Sequence, residues 1–66
     1  MAWIIHYSND NRALKVLADT LDIALETACA LLRFGASVEK IESENGMVIE
    51  ARHVASLCAT RRPNRL

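Results

Sequence analysis

Glycine and proline are scarce in this chain, with two glycines and one proline in 66 residues. Gly35 and Gly46 stand alone, so neither a phosphate-cradling P-loop nor a dinucleotide-binding GxGxxG fingerprint can be written anywhere. Aromatics are limited to Trp3, Tyr7 and Phe34. The K/R-G-F/Y-G-F run of a base-stacking RRM sheet is absent. No run approaches the ~18 apolar residues of a membrane span, and the start lacks the basic stretch and small-residue cleavage site of a signal peptide. The expectation is a cytoplasmic protein with no membrane partner. The formal net charge is zero, which argues against nucleic-acid binding through the body of the domain.

Metal and catalytic chemistry are equally short of material. His6 and His53 are the only histidines and Cys29 and Cys58 the only cysteines, and their spacing resembles no zinc site. The two cysteines allow at most one internal bridge. Both fall on the expected buried faces of helices, where free cysteine behaves as an inert small hydrophobe, and that reading is preferred to a disulfide or metal pair. His53 and Ser56 lie three apart on one helix and can meet. No orienting carboxylate or oxyanion donor can be named beside them. The chain is therefore read as no enzyme, with no catalytic residue, metal or cofactor.

What the chain does have is apolar content, 52% of its residues. A domain this short hides only about 60% of its unfolded surface. One domain, residues 1–60, is all it can form, and some of its apolar surface is expected in a subunit interface. Charge is unevenly placed: Glu39, Glu42, Glu44 and Glu50 crowd one stretch, whereas Arg52, Arg61, Arg62 and Arg65 follow with no acid among them. Residues 61–66, RRPNRL, have no apolar periodicity and read as a disordered basic tail.

Along the chain, AWIIHY at residues 2–7 is strand-like, and Ser8, Asn9, Asp10 and Asn11 are turn formers that tolerate left-handed backbone. From Arg12 two parses compete. Leu14, Leu17, Leu21, Ala24, Leu25, Ala28, Leu31 and Leu32 share a helical face, which draws one long helix over 11–33. Yet Leu14, Val16 and Ala18 alternate as in a strand, and Asp19 or Thr20 offers an N-cap with Asp22 in the first turn. Both parses keep a helix from Leu21 to Phe34, ended by Gly35. SVEKIE and GMVIE then flank a turn at Asn45 and Gly46. Val38 and Ile41, three apart, require a bulge or a strand end between them. Ala51, Val54, Ala55 and Cys58, with Leu57 at the margin, make a short final helix that Pro63 cannot continue.

The stretch ADTLDIALETACALLRFGASVEKIESENGMVIEARHVASLC, residues 18–58, resembles a group of short bacterial proteins. Their pattern is a strand, an acidic linker, a helix with AL-x-x-AC-x-LL, then G-x-x-V-x-x-IE, a Gly-ended turn and a closing helix. Ser43, Glu44 and Asn45 depart from the Gly-Pro-Asp of that turn, while Gly46 matches. The resemblance brings no activity. It implies an α+β, two-layer ββαββα domain with two helices on one face of a mainly antiparallel sheet, in preference to the βαββα alternative with one long helix.

Such a sheet keeps one face uncovered. Ile4 lies on one side of the first strand and Trp3, Ile5 and Tyr7 on the other, and period 2 forbids burying both sets against the same helices. One arrangement leaves Trp3, Ile5 and Tyr7 open beside Lys15 and Leu17; the other leaves Ile4 and His6 open. The preferred function is a non-enzymatic interaction module that forms a homodimer or meets another protein through Trp3, Ile5, Tyr7 and Lys15, with Trp3 as anchor. The alternative is weak nucleic-acid or anion binding through Arg61, Arg62 and Arg65.

Overall fold

The computed structural model describes residues 2–60, and the basic segment 61–66 lies outside them. The element order is β1 (Trp3–Asn9), β2 (Arg12–Ala18), α1 (Leu21–Arg33), β3 (Ser37–Ser43), β4 (Val48–Glu50) and α2 (Ala51–Thr60). All strand pairs are antiparallel, in the order β2-β1-β3-β4. This is the α+β ββαββα arrangement, and the long-helix alternative is excluded by the pairing of Trp3 with Ala18 through to Asn9 with Arg12.

Asp10 and Asn11 explain why the chain reverses instead of continuing as helix. Both have positive φ, 54° and 63°, as the two central residues of a type I′ hairpin turn require, and Asp and Asn tolerate that region better than other non-glycine residues. Helix α1 starts only at Leu21, where the Thr20 hydroxyl accepts a hydrogen bond from the Ile23 amide at 3.2 Å. It ends in a Schellman closure: the Ala36 amide donates to Leu31 O at 3.0 Å and the Gly35 amide to Leu32 O at 3.1 Å. Gly35 holds φ of 93° there, a conformation that costs a Cβ-bearing residue about 1–2 kcal/mol.

The three-residue spacing of Val38 and Ile41 is resolved by a bulge. His6 pairs with Lys40 but Tyr7 with Val38, so Glu39 is the extra, unpaired residue of β3. Val38 and Ile41 thereby both point inward. Ser43 closes the following turn from inside: its hydroxyl accepts from the Asn45 and Met47 amides at 3.2 and 3.1 Å, while its own amide donates to Met47 O. Gly46 takes the positive φ of that turn, 94°.

Both helices lie on the same face of the sheet. Ile5, Ala18, Val38 and Ile41 from the strands meet Ala24, Leu25 and Ala28 of α1 and Val54 of α2, all buried. Leu32 and Cys58, placed by periodicity on the apolar helix faces, are half-buried against it, and Ala51 and Ala55 of the same expected face of α2 are exposed. The expectation for the cysteines is corrected. Cys29 and Cys58 form a disulfide that joins α1 to α2, with Cα atoms 5.5 Å apart. Facing positions on two packed helices bring the pair within bridging range, and helical periodicity alone shows only that each faces inward.

Candidate interaction surface

The orientation of β1 decides which residues are available. Ile5 is fully buried and Trp3 and Tyr7 pack against the core, so the assignment of Trp3, Ile5 and Tyr7 to the open face is corrected. The reason is cross-strand register. Trp3, Ile5 and Tyr7 pair with Ala18, Val16 and Leu14 on one side and with Ser43, Ile41 and Val38 on the other. Residues paired across a sheet share a face, and this row of partners supplies the apolar surface that the helices cover. Lys15 does lie on the opposite, uncovered face, as does Leu17.

Two cross-strand rows make up most of that open face. The first runs Leu17, Ile4, Glu42, Val48, and the second Lys15, His6, Lys40, Glu50. Among the described residues no helix covers them. Leu17 is 72% exposed and Val48 47%, with Ile4 half-buried between their strands. The two rows are tied by a diagonal contact in which His6 Nε2 lies 3.0 Å from Glu42 Oε1. At the β4 edge, Glu50 Oε1 is 3.6 Å from Arg52 Nε, a highly exposed pair that contributes little stability.

Period 2 gave the two candidate faces but not the choice between them. Of the two arrangements of β1, the structure takes the one that leaves Ile4 and His6 open, and Val48 is the apolar member missed by the sequence reading. His53 is exposed on α2. No group of three or more His, Cys, Asp or Glu side chains among the described residues is placed to hold a metal. No described helix is long and apolar enough to cross a membrane. Arg61, Arg62 and Arg65 lie outside the described residues. No family model, curated protein or solved structure matches this chain.

Proposed function

We infer that this chain is a non-enzymatic self-association module whose partner is a second copy, docked through the open sheet face. The observation that carries the reading is the row on the face that no described element covers, where exposed Leu17 and Val48 and half-buried Ile4 are interrupted only by Glu42. Exposed apolar side chains on a shared sheet face lose water contact when a second layer covers them.

Charge placement favours a second copy over a partner of one sign. Lys15 and Glu50 stand at opposite edges of the same cross-strand row, on β2 and β4. A two-fold axis in the contact plane, parallel to the strands and between β1 and β3, sets β2 of each copy over β4 of the other. Lys15 then meets Glu50, and Leu17 meets Val48, each contact occurring twice as an isologous interface demands. The anchor passes from Trp3 to Leu17.

Light scattering of the purified chain from micromolar to several hundred micromolar tests this. A dimer is expected at both low and high salt, because its apolar contact outlasts charge screening, whereas anion capture by the arginines falls steeply with salt. Leu17→Lys should yield a monomer with an unchanged circular dichroism spectrum. Lys15→Glu should weaken the dimer and adding Glu50→Lys should restore it. A monomer at several hundred micromolar in both salts would overturn the reading.

A further inference from the structure

We propose that Cys29–Cys58 is a thiol–disulfide exchange site and that its state gates the docking of α2. The two residues are 29 apart in sequence and join the middle of α1 to the last turn of α2. Both are half-buried, so neither is sealed in the core away from an attacking thiolate.

The rest of α2 offers little to replace the bond. Its ten residues fall below the length at which an isolated helix persists in water. It has no acidic residue in its first turn and no basic residue in its last, so side-chain charges do not support its dipole. Val54 is its only fully buried side chain; Leu57 and Cys58 are half-buried. α2 packs on α1, β3 and β4. Its departure therefore uncovers Ile41, which is fully buried, and Ile49 beside it on β4.

The reaction is exchange with a dithiol. A thiolate of the dithiol attacks one sulfur of the cystine, forming a mixed disulfide and releasing the other cysteine as a thiolate. The second thiol of the reductant then attacks the mixed bond. The products are two protein thiols and an oxidised, disulfide-bonded reductant, with two electrons and two protons passed to the protein. Opening exposes an apolar strip along β3 and β4; closing covers it again. This switch does not rest on the dimer reading, since the strip lies on the opposite face of the sheet.

The test is amide hydrogen exchange on the full chain, air-oxidised and then reduced with dithiothreitol, with thiol titration to count free sulfhydryls in each state. Removing a cross-link of this span should speed exchange in residues 51–60 on the order of a hundredfold, with a much smaller change in β1 and α1. Cys58→Ser should show the fast α2 pattern without reductant and no further response to it. Two free thiols in the air-oxidised protein would overturn the proposal. So would α2 exchange that changes less than about threefold on reduction, or α2 and β1 accelerating in parallel, which marks global unfolding instead of a gated helix.

Discussion

The two helices lie on the same sheet face yet are held by different physics. α1 carries its own boundaries: a Thr20 cap, Asp22 in the first turn, Arg33 in the last and a Schellman closure at Gly35. It buries Ala24, Leu25 and Ala28. α2 follows β4 directly, has no charged residue of the favourable sign in either end turn and buries Val54 alone. The contrast teaches that helical pattern and helical autonomy are separate properties. α1 is specified by local sequence and reinforced by packing, whereas α2 is specified by packing and by one covalent bond.

The largest effect is expected at Leu25, in the buried face of α1. Leu25→Ala should lower unfolding free energy by about 2–5 kcal/mol, the range for a large-to-small core change, and a urea titration should show loss of the whole domain, given how small total stability is. A change below about half a kcal/mol would remove Leu25 from the core. Val54→Ala should cost about 2 kcal/mol, the worth of a buried Val side chain. Its effect should concentrate in α2: hydrogen exchange should accelerate there before it does in β1, and uniform acceleration would erase the distinction between the helices. The smallest effect belongs to Thr20→Ala, about 1 kcal/mol from the lost N-cap. Chemical shifts should then fray at residues 21–23 and nowhere else.

The fold was legible where local chemistry is explicit. Of the turn formers Ser8 to Asn11, Asp10 and Asn11 take the left-handed turn while Ser8 and Asn9 extend β1; the spacing of Val38 and Ile41 called for a bulge or a strand end, and the bulge is at Glu39. The ambiguity over Leu14–Ala18 arose because Leu14 and Leu17 fit a helical face and a strand equally well. Tertiary pairing separated them, sending Leu17 to the open face and Leu14 to the helix side. The surface was less legible. Which side of β1 faces the helices depends on what β2 and β3 place beside it, and Val38, Ile41 and Val16 lie far from β1 in sequence or across a turn. The cystine was hidden for a related reason, because its two halves meet only when α1 and α2 pack. Ser43 gave no signal, since a buried serine holding a turn by its hydroxyl looks in sequence like any loop serine.

The span between the two cysteines also orders events during biosynthesis. At roughly 5–20 residues per second, a ribosome takes about 1.5–6 s to add the residues that separate Cys29 from Cys58. Throughout that interval Cys29 is an unpaired thiol on a nascent helix. The hairpin of β1 and β2 and the whole of α1 have been synthesised by then, so the cross-link can form only after every residue of the first three elements is already in the chain.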